Sequence, residues 1–151
     1  IAEQASQEWQ SLTGREYPMV EGYRMEDAET VIVTMGSMCG TAKVAIDEMR
    51  EKGISVGLLK VRLFRPFPYQ QIREALKDVP CIMAMDRNFS PGLGGVLHQE
   101  LKAALFGMER TPKLHGLLAG VSGLNVTPEK IEEWVAAYSN ADPVVQSVWA
   151  E

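Results

Sequence analysis

The chain has 151 residues, a length typical of one domain, and 46% of its residues are hydrophobic while 23% are charged. These fractions are close to the average for globular proteins and exclude a disordered or collagen-like chain. The net charge of −5, from 15 basic and 20 acidic residues, argues against a nucleic-acid-binding protein, because such proteins carry a basic surface.

Residues 1–27 are predicted to be a lead-in, or linker from an upstream domain, to a domain that spans residues 28–151. Residues 2–12 have the pattern of a short helix, and Gly14, Pro18 and Gly22 interrupt any longer regular element. Ile1 stands where an initiator methionine would be expected. This start indicates that the chain is part of a longer polypeptide.

Strand and helix patterns alternate four times in the rest of the chain. The predicted strands cover residues 30–35, 55–61, 81–85 and 114–119 and are nearly continuous in apolar residues, as strands covered on both faces are. A helix with apolar residues on one face follows each of them, and Thr127 with Pro128 is predicted to begin the last one. This alternation predicts a three-layer α/β/α fold with a mostly parallel sheet.

Ligands bind at the carboxyl ends of the strands in such sheets, so the loops that follow the strands are the expected place for a site. The loop after the first predicted strand is rich in glycine and precedes a helix, an arrangement that can bind an anion. The spacing of its glycines matches neither a dinucleotide fingerprint nor a P-loop. The glycines at residues 92–95 also lack the dinucleotide spacing, since Leu97 occupies the place of a small residue. Close packing of the backbone is the alternative interpretation of both loops.

Three arginines follow the second and third predicted strands. Guanidinium groups at one edge of a sheet can clamp a phosphate or a carboxylate, although ion pairs with nearby acidic residues are the alternative. The sequence therefore predicts an anion site but assigns no catalytic residue and no metal ligand. Its candidate residues are Gly36, Ser37, Gly40, Thr41, Arg62, Arg65 and Arg87.

The other polar residues of interest are predicted to have structural roles. Asp86 ends the third predicted strand and is expected to cap the next turn. His98 and His115 have no nucleophile or carboxylate at a recognisable catalytic spacing. Cys39 and Cys81 lie at opposite ends of parallel strands, too far apart for a disulfide.

The amino-acid composition also predicts the cellular compartment of the protein. Two cysteines without a CxxC spacing and eight methionines suit a reducing environment. The sequence has no apolar run of about 18 residues and no secretory signal at its start. We therefore expect a cytoplasmic protein that does not interact with membranes.

Several motifs resemble the linker and second domain of 2-oxoacid:ferredoxin oxidoreductase alpha subunits. The resemblance is strongest in VGLLKVRLFRPFP at residues 56–68 and in DRNFSPGLGG at residues 86–95. It also includes GREYP at residues 14–18, EGYRMEDAE at 21–29, MGS at 35–37, GTAK at 40–43 and EMREKG at 48–53. These motifs lie between residue 14 and the last predicted helix, so the resemblance covers nearly the whole chain.

The resemblance implies a domain similar to the C-terminal domain of transketolase. The parent enzyme of anaerobic metabolism would oxidatively decarboxylate a 2-oxoacid, with pyruvate expected, on thiamine diphosphate and magnesium. Coenzyme A would accept the acyl group to form acetyl-CoA, and iron–sulfur clusters would pass the electrons to ferredoxin. In that family other domains hold the thiamine diphosphate. This chain has no GDG-type motif and too few cysteines for a four-iron cluster.

The resemblance thus implies a non-catalytic interface domain of the alpha subunit that binds no cofactor and is inactive by itself. One alternative is a module of that enzyme that binds coenzyme A or another anion at the candidate anion site. A second alternative is a free-standing nucleotide-binding protein that uses the glycines at residues 92–95. The expected partners are other domains or subunits of the oxidoreductase and, through them, ferredoxin, while a homodimer stays open.

Overall fold

One sheet organises the computed structural model, which describes residues 1–150. Its strands are β1 Val20–Tyr23, β2 Thr30–Thr34, β3 Val56–Val61, β4 Cys81–Asp86, β5 Lys113–Ala119 and β6 Val148–Ala150. The α-helices are α1 Ala2–Thr13, α2 Met38–Glu51, α3 Tyr69–Leu76, α4 Val96–Leu105 and α5 Pro128–Tyr138. A single 3₁₀ turn, Val121–Gly123, follows β5.

The strand order is β1-β3-β2-β4-β5-β6, with β2 and β4 in the centre. Strands β3, β2, β4, β5 and β6 are parallel, and Ile32 of β2 lies opposite Leu58 of β3 and Met83 of β4. Each of the four predicted strands is present, and each is followed by a helix. The predicted α/β class and mostly parallel sheet are confirmed.

Helices cover both faces of the sheet and form two separate cores. Helices α2 and α5 pack on the face that carries Ile32, Leu58 and Met83, whereas α3 and α4 pack on the face that carries Val33 and Ile82. Successive side chains of a strand point to opposite faces, so a strand buried on both sides must be apolar throughout. Full burial of each large aliphatic side chain contributes about 1.5–3 kcal/mol.

The helix boundaries follow local signals in the sequence. Thr127 begins α5 as predicted, because its hydroxyl accepts a hydrogen bond from the backbone N–H of Lys130 at 3.4 Å and Pro128 follows it. Beyond α2, Gly53 has a φ of +79°, the left-handed conformation that glycine adopts without strain.

Two short strands extend the predicted sheet at its edges. Strand β1 lies within the predicted lead-in and pairs antiparallel with β3, with Val20 opposite Val61 and Tyr23 opposite Leu58. Strand β6 pairs parallel with β5 near the end of the chain. Strands of three or four residues are too short to show the alternation by which strands are recognised.

None of the helices within residues 1–150 is both long enough and apolar enough to cross a membrane.

Candidate functional site

Four loops meet at the carboxyl edge of the sheet, where a ligand is expected in this type of fold. They follow β2, β3, β4 and β5 and contain five of the seven candidate residues named from the sequence, while Gly40 and Thr41 lie in the first turn of α2. The structure places the three arginines of the candidate anion site in three different environments.

Arg87 bridges the loops that follow β2 and β5. Its Nη1 donates to the hydroxyl of Ser37 and its Nε donates to the carbonyl of Gly120, both at 3.4 Å. These long contacts hold the guanidinium loosely, and both Arg87 and Ser37 are exposed. The Ser37 hydroxyl caps no backbone group of α2, although Ser37 immediately precedes that helix. Arg87 therefore lies beside a helix N-terminus that an anion could approach.

Gly36, Gly40 and Thr41 complete this part of the edge. Gly36 has a φ of +67° and turns the chain from β2 into α2. Gly40 and Thr41 lie near the start of α2, and apart from its chain neighbours and the helix's own backbone nothing within residues 1–150 lies within 4 Å of the position that a Cβ at Gly40 would occupy. Space therefore remains above the first turn of α2.

Arg62 is paired with Glu21 of β1. Its Nε donates to a carboxylate oxygen of Glu21 at 2.9 Å, and its Nη2 donates to the same oxygen. Lys43 also donates to Glu21, at 3.2 Å, so the hydrogen bond from Arg62 and, to a lesser extent, that from Lys43 hold the pKa of this carboxyl below its ordinary value. The ring of Tyr17 lies 5.3 Å from the Arg62 guanidinium carbon. Arg62 is thus engaged within the chain.

Arg65 points to α4 instead of α2. Its Nη2 donates to Glu100 at 2.7 Å, its Nη1 donates to the carbonyl of Phe64 at 2.9 Å, and its guanidinium carbon lies 4.1 Å from the centre of the Phe64 ring. Tyr69 donates to the other carboxylate oxygen of Glu100 at 2.9 Å. Of the seven candidate residues, the structure joins Arg87 to Ser37, whereas Arg62 and Arg65 make the ion pairs considered as the alternative.

Asp86 caps the start of α4 and not the turn that directly follows β4, where the sequence predicts its cap. Its two carboxylate oxygens accept hydrogen bonds from the backbone N–H groups of Leu97 and His98, at 2.9 and 3.0 Å, at the start of α4. Burial raises its pKa, while these two hydrogen bonds act in the opposite direction. A Cβ at Gly95 would lie 2.2 Å from Asp86 Oδ2, so this glycine permits the close approach.

His98 connects α4 to the segment that enters β6. Its Nδ1 lies 2.9 Å from the hydroxyl of Ser147, which also accepts a hydrogen bond from the backbone N–H of Gly95 at 3.0 Å. A serine hydroxyl donates one hydrogen bond and accepts two, so either tautomer of the neutral ring can make this contact, while Nε2 is buried and has no hydrogen-bond partner within residues 1–150. Burial lowers the pKa of His98 to about 4. A Cβ at Gly116 would lie 1.9 Å from the ring, so β5 accommodates His98 only with glycine at this position.

Neither cysteine has the environment of a reactive thiol. Cys39 and Cys81 are both buried and unpaired, and burial raises the pKa of each. Within residues 1–150, no group of three or more His, Cys, Asp or Glu side chains could hold a metal ion.

Sequence reasoning missed two partners in this region, Ser147 and Glu21. Ser147 contacts a histidine 49 positions away, and Glu21 pairs with an arginine 41 positions away. Ser147 lies outside the family motifs, and Glu21, which begins the EGYRMEDAE motif, has no spacing that marks it as a partner of Arg62. Both contacts depend on the edge strands β1 and β6, which the sequence pattern did not reveal.

The comparisons with known proteins agree with the motif resemblance. Residues 28–131 match the family model described as pyruvate:ferredoxin oxidoreductase core domain II. The chain is 42% identical to the pyruvate synthase subunit PorA of Methanothermobacter thermautotrophicus over 142 residues, which are 94% of the chain and 36% of that relative. It is 40% identical to PorA of Thermotoga maritima over 85% of the chain and 33% of the relative.

A third relative differs from these two in its described substrate. The alpha subunit of NADH-dependent phenylglyoxylate dehydrogenase from Aromatoleum evansii is 34% identical over 99% of the chain and 37% of its own length. The chain therefore spans about a third of the length of the curated relatives that it matches.

Two solved structures share the fold. One is the 2-oxoglutarate:ferredoxin oxidoreductase from Magnetococcus marinus, with a TM-score of 0.65 and 22% identity over 82% of this chain and 20% of that one. The other is a split-gene transketolase, with a TM-score of 0.52 and 16% identity over 67% of this chain and 34% of that one. The family match covers more than half of the sequence, and the chain belongs to the pyruvate:ferredoxin oxidoreductase core domain II family.

Proposed function

We propose that the chain is a non-catalytic interface domain of the alpha subunit of a pyruvate:ferredoxin oxidoreductase. The observation that carries the proposal is the family match over residues 28–131, together with PorA relatives that are 40–42% identical. The structure supports a structural role, because the buried Asp86 and His98 hold α4 and β6 in place.

The parent enzyme would oxidatively decarboxylate pyruvate to acetyl-CoA on thiamine diphosphate and magnesium, in the cytoplasm. Iron–sulfur clusters would carry the electrons to ferredoxin, and coenzyme A would be a substrate. Other domains or subunits would hold these groups, and this chain would pack against them and help to close the channel to the active site. Self-association as a homodimer would be an additional interface.

The domain organisation follows from the same proposal. We place the family domain at residues 28–151 and the linker from an upstream domain at residues 1–27. The family match begins at residue 28, which supports this boundary. Strand β1 would then be a part of the linker that adds to the edge of the domain.

The experiment compares three preparations in an assay of pyruvate-dependent viologen reduction. These are the chain alone, the complete oxidoreductase that contains it, and that enzyme with residues 28–151 deleted. We expect activity in the complete enzyme only, and at least partial recovery when the separate chain is added to the deleted enzyme. Turnover by the chain alone, or full activity of the deleted enzyme, would contradict the proposal.

A second candidate function is the binding of coenzyme A or another anion at Arg87 and Ser37. The contact between these exposed residues at the start of α2 supports it. The 2-oxoglutarate:ferredoxin oxidoreductase from Magnetococcus marinus, which shares the fold, is described with coenzyme A bound.

Calorimetric titration of the chain with coenzyme A tests this second candidate function. It should show saturable binding that Arg87→Ala weakens and Arg110→Ala leaves unchanged. Equal affinity in both variants would rule out this site.

A further inference from the structure

An apolar groove lies at the edge of the sheet opposite to the loops described above. It has a volume of about 590 Å³ and is formed by the C-terminal end of α4, the residues that lead into β5 and the segment before β6. Most of its lining is apolar, and the side chains that matter here are Leu105, Phe106, Met108, Leu114, Val144 and Val145. Its volume is in the range of small-molecule sites.

The rim of this groove is unusually exposed for side chains of its type. Phe106 is 85% exposed and Val145 is 82% exposed, and Val144 beside it is 55% exposed. Adjacent apolar side chains on a surface mark binding sites, because contact with an apolar ligand removes them from water.

Lys102 supplies the one cationic side chain of the groove lining. Its ammonium group donates a hydrogen bond to the carbonyl of Val145. Within residues 1–150 no carboxylate lies within ion-pair distance of it, whereas Lys52, Lys77 and Lys113 each pair with an acidic side chain. Burial lowers the pKa of Lys102. An ammonium has three N–H donors, so two of them remain for a ligand.

We propose that this groove binds a carboxylate that carries a hydrocarbon tail, either aliphatic or aromatic. The carboxylate accepts hydrogen bonds from Lys102, and the tail packs against Leu105, Met108, Leu114 and Val144. A single cation suits a monoanion, and the apolar walls disfavour a highly hydrated group such as a phosphate. The site is separate from the Arg87–Ser37 contact, which lies at the carboxyl edge.

The test uses hexanoate as the probe and hexanol as its neutral analogue. Amide chemical shifts of the ¹⁵N-labelled chain are followed during each titration, for the wild type, Lys102→Met and the control Lys52→Met. We expect saturable shifts around Phe106 and Val145 with hexanoate. Binding should be about tenfold weaker for hexanol and for Lys102→Met, as loss of one charge-assisted hydrogen bond predicts. Lys52→Met should bind hexanoate as the wild type does.

A spectroscopic readout supports the same test without a variant. The carboxylate stabilises the charged ammonium, so the pKa of Lys102, followed by the ¹³Cε shift, should rise when hexanoate binds. Equal affinity for hexanoate and hexanol, an unchanged affinity in Lys102→Met, or no shifts at the groove up to the solubility of the acid would overturn the proposal.

Discussion

At the scale of single residues, buried polar groups decide which substitutions the chain tolerates. Asp86 accepts two backbone hydrogen bonds at the start of α4, and His98 occupies space that any side chain at Gly116 would take. The Asp86 carboxylate lies directly against the backbone at Gly95, and the His98 imidazole lies directly against the backbone at Gly116. Gly95 and Gly116 therefore permit close contacts between elements and do not themselves indicate a nucleotide site.

Gly95→Ala is expected to destabilise the chain by about 2–4 kcal/mol, because its Cβ would lie 2.2 Å from Asp86 Oδ2 and would displace the cap of α4. Gly40→Ala is the matched control, since the added Cβ would meet nothing within 4 Å except its chain neighbours and the backbone of its own helix. It should stabilise α2 by roughly 0.5–1 kcal/mol, the difference in helix propensity between glycine and alanine. Urea unfolding measures both changes, and an equal effect of the two substitutions would contradict this account.

His98 is expected to make stability depend on pH. Burial lowers its pKa in the folded chain to about 4 from an ordinary value of 6.5. Well above pH 6.5 both states are neutral at this residue, so stability does not change. As the pH falls from there to about 4, only the unfolded chain takes up the proton. The free energy of unfolding should then decrease by as much as about 3 kcal/mol.

Urea unfolding at several pH values between about 4 and 7 tests this prediction. The variant His98→Gln should lose most of the slope, whatever its stability at neutral pH. His115→Gln is the control, because this histidine is less completely buried and should contribute a smaller part. A slope that His98→Gln leaves unchanged would assign the effect to other groups.

At the scale of elements, side-chain contacts help to hold the two edge strands in the sheet, because each strand is too short to be stable by its backbone pairing alone. Strand β6 has three residues, and the segment before it is held by Ser147 against His98 and Gly95. Strand β1 has four residues, and its Glu21 is held by Lys43 and Arg62. Isolated strands of this length are marginal, so these contacts contribute to their position in the sheet.

Ser147→Ala should loosen β6 without unfolding the domain. The change removes the hydroxyl that accepts from Gly95 and contacts His98, at an expected cost of roughly 1–3 kcal/mol. Hydrogen exchange should accelerate at the amides of β6 and at Gly95, and not in β2 or β4. Ser55→Ala serves as the control outside this cluster. Uniform acceleration across the sheet would contradict a local role.

At the scale of the whole molecule, two cores lie on either side of one sheet, and the ends of the chain add to its edges. No residue of α1 is buried, whereas β1 forms a ladder with β3 from Val20 to Tyr23. The carboxyl edge carries the Arg87–Ser37 contact, and the opposite edge carries the Lys102 groove. The two proposed ligand sites can therefore be tested independently.

Truncations should separate the contributions of α1 and β1. Removal of residues 1–13 is expected to shift the melting temperature by no more than about 2–4 °C, the change that 1 kcal/mol causes in a domain of this size. Removal of residues 1–23 should lower it further, because β3 loses a neighbour and Arg62 loses Glu21. Calorimetry distinguishes the two, and equal melting temperatures would show that β1 contributes nothing.

The sequence by itself determined the class of the fold, the central parallel strands and the family. Apolar strands that alternate with amphipathic helices are local patterns, and so are the Thr127 cap and the motifs at residues 56–68 and 86–95. Each can be recognised from neighbouring residues alone. Parallel pairing also follows, because a helix between two strands returns the chain to the same direction.

Only the tertiary structure decided which polar groups meet. It paired Arg62 with Glu21, Arg65 with Glu100 and His98 with Ser147, and it left Arg87 near Ser37. The partners in these contacts are 35–50 positions apart, and their meeting depends on strand order and on which face each side chain occupies. Local patterns specify an element but carry no information about its neighbours, so the pairings and the Lys102 groove emerge only when the sheet is assembled.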